Sequence, residues 1–385
     1  MLHTLAISGY RSLKDIVLCL GQLNLITGPN GSGKSSIYRA LRLLGATSAG
    51  RLIQSLAQEG GLESTLWAGP ESISREVMAG LHPVQGTQRK KPIRLCLGFS
   101  SEDFSYAVDL GLPIPGTPFG RDPVIKRECL WRGTSRRARD LCVDRRGQHM
   151  RCRPNRVWEE VPIPLSNYTS MLTEFGDPER APELILLRDS IRSWRFYDHI
   201  RTDAEAPARR MQVASYTPVM AADGSDLAAA LMTIQSIGDS QGLDEVIDDA
   251  FPGSSLSFNY HDARLEVGLE QNGMLRPLRS TELSDGTLRY LLWSAALMTP
   301  RPPELMVLNE PETSLHPDLL PPLGRLIARY AEQNQVFVVT HAPALIESLS
   351  KLDQCVHFQL EKSFGATQLM GVDPFDIPNW DWPAR

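Results

Sequence analysis

Gly28, Gly33, Lys34 and Ser35 stand in the spacing G-x-x-x-x-G-K-S within LNLITGPNGSGKSS, residues 23–36. That pattern suits a loop that wraps phosphate. Glycines let the backbone take positive φ and approach a ligand closely, so that successive N–H groups of the loop point at phosphate oxygens. A helix expected from Lys34 to about Leu44 adds the positive end of its dipole. Lys34 then reaches the β- and γ-phosphates, and the Ser35 hydroxyl holds Mg²⁺. Pro29, Asn30, Gly31, Ser32 and Ser36 complete the phosphate-binding loop. The spacing therefore predicts a bound nucleoside triphosphate rather than an empty glycine-rich turn.

Three later stretches carry further chemistry. LMVLNEPETSLHPDLL (305–320) reads as a strand delivering Asn309 and Glu310 to a metal–phosphate site. VFVVTHAP (336–343) reads as a second buried strand ending at His341. LSDGTLRYLLWSAAL (283–297) is a Ser-led turn opening a helix, a second candidate anion site. Each has a plainer reading: a helix cap at Ser284, a structural histidine at His341, and a Pro-ended turn at TSLHP. An acidic side chain at the end of a buried strand, however, costs burial energy without a partner such as a metal site.

The elements that must hold these residues follow from the apolar pattern. Residues 2–8, 16–20 and 23–27 read as strands, and helical spacing runs from about 39 to 55. Residues 93–99, 104–110, 128–131 and 156–161 read as further strands, followed by a helix over 182–198 and an extended connector over 201–224. Helices are expected at 226–237, capped by Ser225 or Asp226, and at 242–250. Strands are expected at 255–260, 264–270 and 275–278, with a turn at Asn272-Gly273. Helices at 319–333 and 343–350 alternate with the strands at 305–308 and 336–340. Such alternation implies a parallel sheet wrapped by helices.

Composition bounds the class. The 385 residues are 42% hydrophobic and 22% charged, as in an ordinary globular protein with room for two or three lobes. No signal peptide and no run long enough for a membrane span is apparent. Six scattered cysteines without a C-x-x-C pair favour reduced thiols in a cytoplasmic protein. Cys142, His149 and Cys152 lack the fourth ligand and the spacing of a zinc site. The net charge of −5 hides a basic segment, 121–156, whose local balance is +8 against −13 for the remainder. Such a segment suits a phosphate backbone and equally suits a solvated arm.

Taken in order, the motifs resemble those of ATP-binding-cassette (ABC) ATPase heads of the RecF, SMC and overcoming-lysogenization-defect (OLD) branch, and of its short stand-alone ATPases. GPNGSGKSS resembles Walker A, LSDGT the signature, LMVLNEPE Walker B, TSLHP the D-loop, and His341 the switch histidine. GYRSLKD resembles the opening turn of that branch, where a basic residue, here Arg11, approaches the nucleotide. The likeness covers roughly the first 45 residues and 280–345, and more loosely WRFYD and GSDLAAAL.

The resemblance implies an α/β P-loop NTPase fold: a RecA-like parallel sheet core, an N-terminal antiparallel β lobe and an inserted β-rich arm. The expected division is 1–70, 71–200 and 201–385, with the first and last forming one head. It implies Glu310 as general base, with Lys34 and His341 on the γ-phosphate. Ser284, Asp285 and Gly286 would cap the ATP of a second copy, and Ser314, Leu315 and His316 would form the D-loop between copies. An ATP-sandwich homodimer follows, acting on double-stranded DNA or with a nuclease in trans, and with no membrane partner. Asn309 departs from the usual Walker B Asp. It keeps an oxygen for a magnesium-bound water but removes a charge, which implies slow hydrolysis. No Q-loop residue stands out; Gln54 and Gln58 are nearby, and Glu59-Gly60-Gly61 could equally stop a helix. LSDGT differs from the transporter form LSGGQ, and no N-K-x-D guanine-reading motif occurs.

Overall fold

The computed structural model describes residues 1–71, 94–113, 120, 122–198, 200–372 and 377–385. It groups them into two compact units. The first takes 1–20, 28–193 and 359–385; the second takes 21–27 and 194–358.

The first unit is built on an antiparallel sheet. β1 (Leu2–Tyr10) pairs with β2 (Leu13–Cys19), leaving only Arg11 and Ser12 to turn the chain. The sheet continues from β1 through β4 (Leu95–Ser101), β5 (Phe104–Gly111), β6 (Val124–Arg132), β7 (Leu141–Arg146), β8 (His149–Cys152) and β9 (Glu159–Glu160). The residues read as a separate inserted lobe therefore extend the sheet that β1 and β2 begin, and the expected boundaries near 70 and 200 do not coincide with the two units. The β7–β8 hairpin lies inside the basic segment, where arginines mask the alternation of Leu141, Val143 and Met150. Arg121, at the start of that segment, lies outside the described residues.

Helix α1 (Lys34–Thr47) runs past its expected end and buries Ile37, Leu41 and Leu44 on one face. The helical spacing to residue 55 breaks after it, into α2 (Leu52–Gln58) and α3 (Gly61–Thr65). Gly60 follows α2 at φ +98, so Glu59-Gly60-Gly61 is a helix stop. Helix α4 (Met171–Glu174) is capped by Ser170, whose hydroxyl accepts from Leu172 N. The helix expected to 198 ends sooner, as α5 (Pro182–Ser193).

In the second unit, β10 (Arg195–Tyr197), β15 (Met306–Asn309), β16 (Val336–Val339) and β3 (Leu23–Thr27) lie side by side, all parallel. β10 replaces the end of the expected helix; its Arg-Phe-Tyr run suits a sheet edge better than a helix turn. β3, β15 and β16 are nearly continuous apolar runs because both faces of a parallel sheet are covered. Asn24 is the exception, and its amide bonds the backbone N–H and C=O of Gly21 at 2.9 and 2.8 Å.

The connector contains a 3₁₀ turn, Pro207–Arg209, and β11 (Gln212–Val213). Helices α6 (Leu227–Ile237) and α7 (Ser240–Ala250) follow. Asp226 precedes α6, but its carboxylate accepts from Ala221 N at 2.9 Å rather than from the helix. A small sheet holds β11, β13 (Arg264–Glu270) and β12 (Ser255–His261), with β14 (Leu278–Arg279) on β13. Gly273 sits at φ +85 in the β13–β14 connection, where Met274 N donates to Gln271 O. Helices α8 (Asp285–Leu297), α9 (Leu320–Ala331) and α10 (Pro343–Ser350) surround one core with the parallel strands.

β17 (Cys355–Ser363) starts in the second unit, and its later residues pair in the first with β18 (Ala366–Leu369). Neither strand was expected. No helix among the described residues is long and apolar enough to cross a membrane.

Candidate functional site

In the first unit, the loop begins at Gly28, the residue after β3. Gly28, Gly31 and Gly33 have φ of +143, +79 and +113, so each uses the freedom that only glycine has at low cost. Their neighbours differ. A Cβ on Gly28 would lie 2.4 Å from Leu360 O, and one on Gly33 would lie 2.2 Å from Thr367 Oγ1. The β17–β18 hairpin therefore presses on the loop at both ends, while Gly31 faces open space.

Lys34 is buried and donates to Gly28 O at 2.6 Å and Pro29 O at 3.2 Å. The N-cap of α1 is Gly33, with no side-chain bond to the first turn. Ser32 Oγ is buried without a hydrogen-bond partner. A helix N-terminus without a side-chain cap, a buried ammonium and an orphaned hydroxyl fit a polyanion.

Thr367 and Ser12 are loop neighbours that spacing did not single out. Thr367 Oγ1 lies 2.7 Å from Ser32 O and 2.8 Å from Ser12 Oγ, and Thr367 N donates to Ser12 O at 2.8 Å. Arg11, at φ +49, is held elsewhere. Its Nη2 meets Glu59 Oε2 at 2.6 Å, and Tyr10 OH donates to the same oxygen at 2.6 Å. Burial, with Glu59 beside it, pushes the Tyr10 hydroxyl well above its ordinary range. In this structure Arg11 is the counter-ion of Glu59.

In the second unit, β15 and β16 end side by side, Asn309 opposite Val339. Asn309 Oδ1 is buried without a partner. An orphaned acceptor at the end of a buried strand fits a hydrated divalent cation. Glu310 follows at φ +49, its N–H bonded to Val339 O at 2.7 Å. Positive φ in a non-glycine residue costs on the order of 1–3 kcal/mol and persists only where the surroundings impose it. Trp293 Nε1 on α8 donates to Pro311 O at 3.0 Å and so ties this turn down.

His341 leaves the end of β16 with Nδ1 at 3.3 Å from Glu312 Oε1 and 3.9 Å from Glu310 Oε1. Glu312, which the motif reading passed over, is buried. Its Oε1 accepts from Thr340 Oγ1 at 2.7 Å and from His341 N at 2.9 Å, while Oε2 has no partner. Its only signal in the chain is a second acid in Glu-Pro-Glu.

The signature residues cap α8 as expected: Ser284 Oγ accepts from Thr287 N at 3.1 Å. Ser284 and Asp285 are exposed. Arg209, buried in the connector, bonds Ser280 O, Leu283 O and Asp285 Oδ1 at 2.9, 2.7 and 2.7 Å, fixing the turn from below. A Cβ on Gly286 would lie 3.3 Å from Ser314 O and 3.9 Å from His316 N, so the Ser284 turn lies against residues 314–316. Ser314 is also strained, at φ +63, and Leu315 N donates to Glu312 O at 3.0 Å.

The basic segment is less available than its charge suggests. Arg127 pairs with Asp144 at 2.8 Å, Arg151 with Asp144 at 2.9 Å and Arg132 with Glu183 at 2.7 Å. Arg145 and Glu128 form a fully buried pair at 2.7 Å. Arg136 donates to Asp381 O, and Arg153 to the carbonyls of Ala138 and Arg139. Arg137, Arg139, Arg146 and Arg156 remain on the surface. No group of three or more His, Cys, Asp or Glu suited to a metal occurs among the described residues.

Comparison with known proteins bears on the fold and the family. An SMC head bound to the C-winged helix domain of ScpA superposes over 96% of this chain and 96% of its own, with a TM-score of 0.50 and 14% identity. An SMC head with an extended coiled coil, bound to the C-terminal domain of ScpA derived from Pyrococcus furiosus, superposes over 96% and 95%, with a TM-score of 0.51 and 12% identity. Likeness at these identities concerns the fold. The OLD nuclease of Thermus scotoductus (strain ATCC 700910 / SA-01) is 50% identical over 44 residues, 11% of this chain and 8% of that protein. A family profile described as "AAA domain, putative AbiEii toxin, Type IV TA system" matches residues 23–347. The chain belongs to that AAA-domain family, and its fold fits an ABC-type ATPase head of the RecF/SMC/OLD branch.

Proposed function

We propose that this chain binds Mg²⁺-ATP between two copies of itself and hydrolyses it, driving a cycle of association and release that acts on DNA or on a DNA-processing partner. The observation that carries the reading is Glu310. It is a half-buried acid held in a strained backbone at the end of a buried strand, beside a histidine and next to an orphaned Asn309 oxygen.

Lys34 and the loop amides bind the β- and γ-phosphates. Ser35 and, through water, Asn309 hold Mg²⁺, which neutralises phosphate charge when bound. Glu310 orients the attacking water and takes its proton. His341 contacts the γ-phosphate, and Ser284, Asp285 and Gly286 cap it from the second copy. Catalysis comes from positioning and charge. Arg11 joins the site only by leaving Glu59.

Phosphate release under single-turnover conditions, with sizing in ATP and in ADP, tests this. Wild type should release phosphate, and Glu310→Gln should retain ATP and accumulate a dimer. Equal phosphate release by Glu310→Gln would overturn the base assignment; a variant that stays monomeric in saturating ATP would overturn the sandwich.

Asn309 supports a second reading: ATP as a slow switch that recruits a nuclease in trans. The missing charge at this position weakens the metal site. A wild-type rate no faster than that of Glu310→Gln, with dimerisation intact, selects it. DNA contact, if made by the basic segment, falls to its exposed arginines. Charge reversal at Arg137, Arg139 and Arg156 should lower double-stranded DNA affinity and flatten its salt dependence.

A further inference from the structure

We propose that Glu312 is the positioning residue that sets the tautomer and the place of His341. The kinetic part of this rests on the hydrolytic reading above; the structural part does not.

The Glu312 side chain is 8% exposed, and its recorded ion-pair contact among the described residues is with the His341 imidazole. One of its oxygens, Oε1, meets three groups on two consecutive residues: Thr340 Oγ1, His341 N and His341 Nδ1. A buried carboxylate is costly to keep, and an amide could accept from Thr340 and the backbone equally well. What the carboxylate adds is a charged acceptor for Nδ1–H, which orients an imidazole and leaves its far nitrogen, Nε2, for another contact. The distances decide between the two acids. Nδ1 is 3.3 Å from Glu312 and 3.9 Å from Glu310, so Glu312 is the nearer acceptor. On this proposal Glu312, the nearer acid, takes the Nδ1–H and leaves the Glu310 carboxylate uncommitted. The turn that carries Glu312 is held at both ends, by Trp293 on Pro311 O and by Leu315 N on Glu312 O.

The test uses the full chain labelled with ¹⁵N-histidine, with the His341 signal among the eight histidines assigned by its loss in His341→Gln. Wild type without nucleotide should show a protonated Nδ1 at His341. Glu312→Ala should move that signal toward the Nε2–H form, and the isosteric Glu312→Gln should give an intermediate spectrum. ATP affinity should stay within about twofold in both variants, whereas phosphate release per bound ATP should fall about tenfold in Glu312→Ala and recover in part in Glu312→Gln. An unchanged His341 signal in both Glu312 variants overturns the proposal, as does equal loss of ATP binding with an unchanged release rate. A wild type that releases no phosphate would refute the hydrolytic reading alone, because the tautomer measurement still decides the role of Glu312.

Discussion

Thr367→Val is the sharpest test of how the phosphate loop keeps its shape. Thr367 is buried, lies 2.7 Å from Ser32 O and 2.8 Å from Ser12 Oγ, and stands so close to Gly33 that a Cβ there would reach 2.2 Å. Valine keeps the volume but replaces the hydroxyl with a methyl group. Ser32 O and the Ser12 hydroxyl lose that partner, which costs about 1–3 kcal/mol for a buried group. The methyl also needs more room than a hydrogen-bonded oxygen. If the loop holds its ligand-ready shape against this hairpin, the loss appears in binding. At about 1.4 kcal/mol per decade, ATP affinity should fall about tenfold. Titration with a fluorescent ATP analogue, paired with thermal melts, reads both effects. Thr367→Ser retains the hydroxyl and should bind within about threefold of wild type. Wild-type affinity in Thr367→Val despite a lower melting temperature would refute the reasoning, because the loop would then keep its shape without the hairpin.

Asn309→Asp should lower the Mg²⁺ concentration needed for half-maximal ATP turnover about tenfold and speed turnover, since ligand charge tunes such sites; no change in either contradicts the metal role of Asn309. Glu128→Ala should destabilise the protein by about 3–5 kcal/mol, read as a lower urea midpoint. It strands Arg145 Nη1, Tyr106 OH, Ser170 Oγ and Met171 N, which all donate to that buried carboxylate. A loss below about 1 kcal/mol would show that the site relaxes. Burial lowers the pKa of His357, whose ring bonds Thr27 Oγ1 at 2.8 Å. The unfolded chain then takes up this proton at higher pH than the folded one. The contribution is therefore fully present above the unfolded value of about 6.5 and is lost as pH falls through the folded one. Melts from pH 8 to pH 5 should show a shallower acid slope in His357→Gln; an identical slope rules this group out.

Several features were legible because they depend on short stretches of chain. The glycines, Lys34 and Ser35 impose their turn locally, and the buried strands at 23–27, 306–309 and 336–339 announce themselves as apolar runs between helices. Ser284 caps its helix through a bond three residues away. The Glu59 stop was open between two readings, and the positive φ of Gly60 with the Arg11 ion pair decided it.

Other features depend on partners far along the chain. The strands of 95–160 join the sheet of β1 and β2, and β10 is a strand because β15 offers it a parallel edge. Glu312, Arg209 and Thr367 look ordinary in their local context. They gain their roles from His341, from Asp285 and from Ser32, which lie 29, 76 and 335 residues away. By itself the sequence determined a glycine-rich loop opening a helix, an acidic strand end and a serine-capped turn, since local backbone geometry and burial suffice for those. Which side chains hold these parts in place was left to the tertiary structure, because a buried polar group selects its partner by proximity in space.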